Sequence, residues 1–258
     1  MDLKLKGKKA FISGGTHGIG LSIAKNLGHE GCEIIFCSRT IKRLNFTLDL
    51  LKNMNISAYG YQCDALIRED VDKCINIVKD EIGGIDILVN NVGGGGSWGS
   101  EDITNTDEII WHQVYEKNVT AAIKFTNGFL PSMVENNWGR VITITSTLGI
   151  EAGGRPWFNI AKTAQTALMK NLSKNKMFVK KGITFNCIAP GPIDIPDTGW
   201  AIKKKEPKFD EFIDTLIPMG KLGKPEDVAN IVSFIASPLA KFINGSSITV
   251  DGGTSTAF

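Results

Sequence analysis

The sequence of 258 residues lacks both a long uncharged apolar run and a marked excess of either charge. Its 29 lysines and arginines nearly balance its 27 aspartates and glutamates, and the formal net charge is +2. This balance gives no electrostatic reason to expect a nucleic-acid partner. No apolar segment approaches the roughly 18 residues of a membrane span, and the N-terminus lacks the apolar core of a signal peptide. We expect a cytoplasmic protein that binds neither nucleic acid nor membranes.

Paired cysteines are also lacking. The five cysteines are Cys32, Cys37, Cys63, Cys74 and Cys187, an odd number without a Cys-x-x-Cys pair. Most of them lie inside apolar runs, where a free thiol behaves as a small hydrophobic side chain. We therefore expect buried, reduced thiols rather than disulfides or a metal site.

Short apolar runs alternate with amphipathic stretches along the whole chain. The runs cover residues 10–13, 34–37, 87–89, 141–144, 185–188 and 248–250. Between the first two runs, Ile19, Ile23 and Leu27 follow helical spacing. Such alternation is typical of an α/β protein with a parallel sheet and helices on both faces. We predict one domain over residues 1–258, with a substrate lid at about 192–219, where prolines, glycines and a lysine run interrupt the pattern.

Three glycines, Gly14, Gly18 and Gly20, lie between the first predicted strand and the first predicted helix. Glycine permits positive φ and a close approach of the backbone to a ligand. The N-terminus of a helix offers free N–H groups to a pyrophosphate. The position is the one that a dinucleotide-binding turn requires, although a glycine triplet alone is also found in purely structural turns.

The Gly-x-x-x-Gly-x-Gly spacing resembles that of the short-chain dehydrogenase/reductase family, and further family-like motifs follow in order. They are Asn90-Asn91-Val92-Gly93, Asn118, Ser146, Lys162, Pro190-Gly191 and the segments 223–228 and 250–253. The resemblance covers nearly the whole chain and is close to 3-oxoacyl-carrier-protein reductases. It implies a doubly wound Rossmann fold with a seven-stranded parallel sheet. It also implies a homotetramer through the helices that contain Asn118 and Lys162, with a homodimer as the alternative.

The resemblance also implies a nicotinamide cofactor. The residues that would bind it are Gly14, Thr16, His17, Gly18, Ile19, Gly20, Ser38, Arg39, Asp64, Ala65, Asn90, Asn91, Gly93, Lys162, Pro190, Gly191 and Ile193. By the same resemblance, Asp64 binds the adenine amino group, Asn90 lies beside the adenosine ribose, and Ile193 meets the carboxamide. An acidic residue after the second strand would favour NAD, but Ser38-Arg39-Thr40 stands there. Because a guanidinium and hydroxyls suit a 2′-phosphate, we expect NADP, with NAD as the alternative.

The expected catalytic group lacks its acid. In the family, a tyrosine exchanges a proton with the substrate, and a lysine four residues later lowers the tyrosine pKa. This sequence has Phe158 before Lys162, and the loss of a general acid removes a factor of about 10² to 10⁴ in rate. The resemblance leaves Ser146 to polarise the substrate oxygen, and Lys162 to hold the ribose and to relay protons through water with Asn118. Glu151 is our candidate for a replacement acid or base, and its alternative is a solvated loop residue.

The predicted substrate site contains Ser146, Phe158, Arg155 and Trp98. Arg155 would bind a carboxylate or phosphate, or else form a structural ion pair. Trp98 would stack on a sugar or ring, or else pack at an interface. We predict an NADP-preferring oxidoreductase acting on a hydroxyl or carbonyl of a small polar, anionic or sugar-like substrate.

Two other functions stay open. One is a cofactor-binding protein with little turnover, and the other is an isomerase or dehydratase that keeps its nicotinamide bound. Retention of Ser146, Asn118 and Lys162 favours an enzyme, because cofactor binding alone does not need the serine. Phe158 favours the binding protein.

Overall fold

The computed structural model describes residues 1–100 and 102–257, which contain one parallel sheet. Its strands are β1 (Lys9–Ser13), β2 (Glu33–Ser38), β3 (Ala58–Gln62), β4 (Ile87–Asn90), β5 (Gly139–Ile144), β6 (Ile183–Pro190) and β7 (Ser247–Val250). The spatial order is β3-β2-β1-β4-β5-β6-β7. All six apolar runs predicted from the sequence lie in these strands, and the seven-stranded doubly wound fold is confirmed.

Helices separate the strands. They are α1 (Gly18–His29), α2 (Ile41–Asn53), α3 (Arg68–Ile82), α4 (Glu108–Tyr115), α5 (Ala121–Glu135), α6 (Pro156–Leu172), α7 (Lys176–Val179), α8 (Gly199–Lys203), α9 (Phe209–Leu216) and α10 (Pro225–Ala236). A π turn (Glu116–Thr120) joins α4 to α5. No helix in the described ranges is long and apolar enough to cross a membrane.

The core lies on both faces of the sheet. On one face, Ile23 of α1 and Val232 of α10 are buried in the same cluster. On the other, Val71 of α3 and Phe125 of α5 are buried, and the Phe125 ring lies 5.1 Å from that of Phe11 on β1. Strands β5 and β6 are buried along their whole length. Burial on both faces explains why the runs 141–144 and 185–188 in these strands are mostly apolar rather than alternating with polar residues.

The sheet order reverses at β1, because β2 lies on one side of it and β4 on the other. In open α/β sheets, the carboxyl ends of the strands diverge at such a point and leave a crevice for ligands. The glycine turn follows β1 directly. The segments that follow β2, β4, β5 and β6 begin at the same edge of the sheet. This arrangement positions the candidate site.

Candidate active site

Two clefts open at the carboxyl edge of the sheet. The smaller, of about 250 Å³, is lined by residues that follow β1, β2 and β3. The larger, of about 730 Å³, is lined by residues that follow β5 and β6 and by α8 and α9. His17, Asn91 and Gly93 line both clefts. The shared lining makes the two clefts one elongated groove.

The glycine turn has the features of an anion site. Gly14 and Gly18 have φ angles of +71° and +51°, which side chains rarely adopt. Helix α1 begins at Gly18 without an acidic residue in its first turn, and His17 at the N-cap makes no side-chain capping bond. The first N–H groups of α1 can therefore bind a phosphate. Gly20 serves packing, since a Cβ there would lie 2.3 Å from the Gly14 carbonyl oxygen.

Basic side chains gather at the smaller cleft. Arg39, Arg43 and Lys117 all line it, together with Ser38. Ser38 Oγ accepts a hydrogen bond of 3.2 Å from Thr16 Oγ1. Burial, and then the charge of Arg39, lower the pKa of Lys117. Such a cluster suits a phosphate group. Arg39 was predicted from the sequence, whereas Arg43 and Lys117 were missed.

The predicted contacts to adenosine fall into two groups. Asp64 and Ala65 line the smaller cleft. Asn90 is only 2% exposed, and its Nδ2 donates a hydrogen bond of 3.0 Å to Thr126 Oγ1. The Asn90 side chain is therefore part of the core, and the expected place of Asn90 beside the adenosine ribose stays a prediction. Its neighbour Asn91 lines both clefts.

Predicted cofactor-binding residues from two distant parts of the sequence meet at the larger cleft. Gly18 and Ile19 of α1 line it, as do Pro190, Gly191 and Ile193 beyond β6. A parallel bridge to Gly223 fixes the position of Ile193. These residues are far apart in the sequence, and the fold places them around one cleft.

Ser146 and Lys162 also line the larger cleft. Ser146 lies just beyond β5, and its Oγ accepts a hydrogen bond of 3.2 Å from Leu148 N. Lys162 is 4% exposed, and its Nζ donates hydrogen bonds of 3.0 Å each to Ile144 O and Gln165 Oε1. Removal from water lowers the pKa of Lys162 from 10.5 to about 7. An amine with this pKa is suited to proton exchange near neutral pH.

A buried amide links Lys162 to the helix asparagine. Gln165 is 1% exposed, and its Nε2 donates a hydrogen bond of 2.8 Å to the Asn118 carbonyl oxygen. Asn118 lies in the π turn, where its Nδ2 donates to Gly94 O and Val114 O at 2.8 Å each. Gln165 thus bridges the two residues between which we expected a water relay. The sequence analysis missed it, although a glutamine three residues after Lys162 falls on the same helix face.

Phe158 lines the larger cleft, and its ring centre lies 5.5 Å from Lys162 Nζ. None of the three tyrosines lines either cleft. Tyr61 donates a hydrogen bond of 2.8 Å to Glu81, and Tyr59 and Tyr115 are exposed. The described residues therefore offer no phenol at the position that Phe158 occupies.

Glu151 lies at the larger cleft but already has hydrogen-bond partners. Its carboxylate accepts hydrogen bonds from Thr256 N at 2.8 Å and from Thr256 Oγ1 at 3.2 Å. Its carbonyl oxygen accepts another of 2.8 Å from Asn159 Nδ2. The C-terminal segment therefore holds Glu151 at a lining position of the cleft.

Arg155 and Trp98 line neither cleft. Arg155 Nη1 donates hydrogen bonds to the carbonyl oxygens of Trp98 and Gly99, at 2.7 and 2.6 Å. The Trp98 ring lies 4.8 Å from Lys117 Nζ. Arg155 thereby ties the loop after β4 to the start of α6, and a contact of Arg155 or Trp98 with the substrate stays a prediction.

Aromatic and aliphatic side chains of the predicted lid segment form part of the larger cleft. Trp200 of α8 and Phe212 and Leu216 of α9 line it. Lys203 Nζ lies 5.4 Å from the Trp200 ring and 5.3 Å from the Phe212 ring. These contacts connect α8 to α9 and leave an apolar surface toward the cleft.

Comparison with protein families and curated proteins gives matches along nearly the whole chain. The family model described as enoyl-(acyl carrier protein) reductase matches residues 14–255. The 3-oxoacyl-[acyl-carrier-protein] reductase of Aquifex aeolicus is 30% identical over 255 residues, which are 98% of this chain and 99% of that protein. Dehydrogenase/reductase SDR family member 4 of Rattus norvegicus is 32% identical over 251 residues, which are 97% and 88% of the two chains.

Solved structures show the same likeness. L-Sorbose reductase from Gluconobacter frateurii, complexed with NADPH and L-sorbose, has a TM-score of 0.91 at 31% identity and 100% coverage of both chains. A 7α-hydroxysteroid dehydrogenase, complexed with NADH and 7-oxo glycochenodeoxycholic acid, has a TM-score of 0.88 at 27% identity. That match covers 98% of this chain and 96% of the other.

Proposed function

The chain belongs to the short-chain dehydrogenase/reductase family, and we propose that it is an NADP-dependent oxidoreductase acting on a hydroxyl or carbonyl of a small molecule. One observation carries the proposal. Ser146 and Lys162 line the same cleft as Gly18 and Ile19 of the glycine turn. Cofactor binding alone would not require a serine hydroxyl at that place.

The groove fits NADP at several points. The N-terminus of α1 would bind the pyrophosphate. Arg39 and Arg43, with the Ser38 hydroxyl, would bind the 2′-phosphate, and NAD is the alternative cofactor. When bound, the nicotinamide supplies the acceptor or donor of a hydride.

The polar residues of the larger cleft would handle the substrate oxygen and its proton. Ser146 Oγ would polarise that oxygen. A lysine ammonium has three N–H donors, and two of those of Lys162 bind Ile144 O and Gln165 Oε1. The third would bind a ligand. Without a tyrosine, Glu151 is the proposed acid or base, and Lys162 would relay the proton.

We propose a small sugar-like substrate rather than an anionic one. The likeness to L-sorbose reductase supports a sugar-like molecule. Arg155, the side chain expected to bind an anion, instead donates to carbonyl oxygens outside the cleft. Trp200 and Phe212 provide aromatic surfaces on which a ring would pack.

A second candidate function is a cofactor-binding protein with little turnover. Phe158 favours it, because the ring beside Lys162 carries no proton. Gln165 favours it as well, because its side-chain amide already accepts a hydrogen bond from Lys162 Nζ and donates one to the Asn118 carbonyl oxygen. An isomerase or dehydratase that retains its nicotinamide is the third candidate.

The test combines cofactor binding with turnover. We expect calorimetry to show NADPH binding, and incubation with sugars, polyols, ketones and hydroxy acids to show NADPH consumption or NADP reduction. Glu151→Gln should lower turnover by about 10² or more with little change in cofactor affinity. Glu135→Gln, at an exposed position on α5, is the matched control.

Each alternative gives a different result. Bound but unconsumed NADPH with the whole panel would contradict the redox proposal and favour the binding protein. Conversion of a substrate without net oxidation would favour the isomerase or dehydratase. Equal turnover of Glu151→Gln and the parent would remove Glu151 from the proposed chemistry.

We further propose assembly into a homotetramer or homodimer. Ile109 and Tyr115 on α4 are 51% and 43% exposed, and Ile160 on α6 is 51% exposed. These apolar side chains lie on the helices around Asn118 and Lys162. Sedimentation should show a particle mass that is a multiple of the 28.0 kDa of one chain. Ile160→Asp should reduce this mass. A monomer at micromolar concentration would contradict the proposal.

A further inference from the structure

Three cysteines that are far apart in the sequence meet behind the smaller cleft. Cys37 lies near the end of β2, Cys63 directly follows β3, and Cys74 lies on α3. Their Sγ atoms all lie within 4.8 Å of one another, and all three side chains are buried. The main-chain N–H of Cys63 donates a hydrogen bond of 3.0 Å to Ser38 O, which fixes the two strand ends relative to each other.

The cysteines are free and buried, as expected from the sequence, but in place of the expectation that they form no metal site, we propose that Cys37, Cys63 and Cys74 form a three-coordinate site for a soft monovalent metal ion of the Cu(I) class. Thiolates select soft ions. Within the described part of the chain, no histidine or carboxylate completes this group as a fourth ligand. An ion that accepts three sulfur ligands therefore fits the group better than Zn²⁺, which is almost always tetrahedral in structural sites.

The geometry needs only a small adjustment. A planar three-sulfur site with metal–sulfur distances of about 2.3 Å has sulfur–sulfur distances of about 4 Å. The three Sγ atoms already lie within 4.8 Å of one another. A pair of Sγ atoms at the 4.8 Å limit would have to approach by only about 0.8 Å to reach the required spacing.

The smaller cleft gives the ion a route to the site and a source of opposite charge. Cys37 and Cys63 line this cleft, and Cys74 does not. The ligands must lose their protons when the metal binds, so three thiolates and one monovalent ion leave two negative charges. Arg39, Arg43 and Lys117 line the same cleft and would partly balance them.

This position couples the metal to the cofactor, a step that rests on the proposed dinucleotide site. The added negative charge would lie beside the cations that we assign to the 2′-phosphate. The bound metal should therefore weaken NADPH binding, and NADPH should weaken metal binding by the same factor. Allosteric couplings typically amount to about 5- to 150-fold, and we expect at least about fivefold here.

The first experiment titrates the reduced, full-length protein with Cu(I) without oxygen, in competition with a chromophoric Cu(I) chelator. We expect one tightly bound ion per chain, lost in Cys74→Ser and retained in Cys32→Ser. Cys32 is the matched control because it is also buried, but its Sγ donates to Leu5 O at a different place. Retention of the ion in Cys74→Ser, or no stoichiometric binding by the parent, would overturn the proposal.

X-ray absorption of the Cu(I)-loaded parent does not depend on the folding of any variant. Three sulfur neighbours would support the site, and fewer sulfurs or nitrogen and oxygen neighbours would overturn it. NADPH affinity is then measured with and without Cu(I). No NADPH binding by the metal-free protein would refute the proposed cofactor site, whereas equal affinities in both states would refute the coupling alone.

Discussion

Replacing Phe158 with tyrosine directly tests the missing proton donor. The Phe158 ring lines the larger cleft, and its centre lies 5.5 Å from Lys162 Nζ. Tyrosine adds one hydroxyl to the same ring at a position that lines the cleft. A neighbouring ammonium favours the ionised form of a phenol and lowers its pKa. Phe158→Tyr should therefore acquire a general acid beside Lys162.

The expected gain follows from what such a group contributes. A positioned general acid contributes about 10² to 10⁴ in rate, which is about 2.7 to 5.4 kcal/mol at about 1.36 kcal/mol for each tenfold. Gln165 and Ile144 O already bind two N–H groups of Lys162, and one remains for the new hydroxyl. We therefore expect the lower end, a gain of about 10² in kcat/KM for carbonyl reduction.

The assay follows NADPH consumption with a panel of ketones and ketoses. Phe158→Leu, which changes the ring without adding a donor, should show no gain. Lys162→Met in the Phe158→Tyr background should remove the gain. A folded Phe158→Tyr that binds NADPH and reduces no substrate faster than the parent would refute the reasoning, because the proton would then come from a group that does not depend on this position.

Three further predictions concern the cofactor and the buried amine. Arg39→Asp should reverse a preference for NADPH over NADH, and equal affinities of the parent for both cofactors in calorimetry would contradict this. Gly18→Val should abolish NADPH binding, because φ is +51° and the new Cβ would lie 2.8 Å from the Ile195 side chain; unchanged affinity in a folded variant would show the glycine to be dispensable. The pKa of Lys162 falls from 10.5 to about 7 on folding, so the unfolded chain binds more protons between these values and this lysine makes stability rise with pH across that window. Thermal unfolding should show a smaller rise of stability between pH 7 and pH 10 in Lys162→Met than in the parent. Identical slopes of stability against pH for variant and parent would refute this prediction.

Most of the sheet could be predicted from the sequence because β1, β2, β4, β5 and β6 are mostly buried. Strand β6, for example, is buried throughout, and six of its eight residues are apolar, with Thr184 and Asn186 as the polar exceptions. Strand β3 was not identified as a run, because it lies at the sheet edge and its residues Ala58–Gln62 are partly or fully exposed. The order of polar and apolar residues in β3 therefore does not indicate a buried strand.

The site was only partly predictable, because several of its residues meet through tertiary structure. Arg43 comes from α2 and Lys117 from the π turn, and no sequence spacing connects them to Arg39. The three clustered cysteines likewise come from separate elements. For Asn90, the motif predicts a place beside the ribose but does not predict that its side chain donates a hydrogen bond to Thr126 in the core.

Phe158 and Gln165 are best understood together. Lys162 is buried, and a buried donor without an acceptor is costly by about 1–3 kcal/mol, and by more for a charged group. The ring at position 158 offers Lys162 no oxygen, whereas the Gln165 side chain supplies an acceptor at 3.0 Å. Its amide nitrogen in turn binds the Asn118 carbonyl, so that both ends of this buried amide have partners. Gln165 therefore supplies the buried lysine with an acceptor beside a ring that offers none, and its amide lies between Lys162 and Asn118. Phe158 lines the larger cleft, whereas neither Phe158 nor Gln165 lines the smaller cleft, where we place the 2′-phosphate. We therefore expect the two residues to affect transfer of the proton more than binding of the adenosine end of the cofactor.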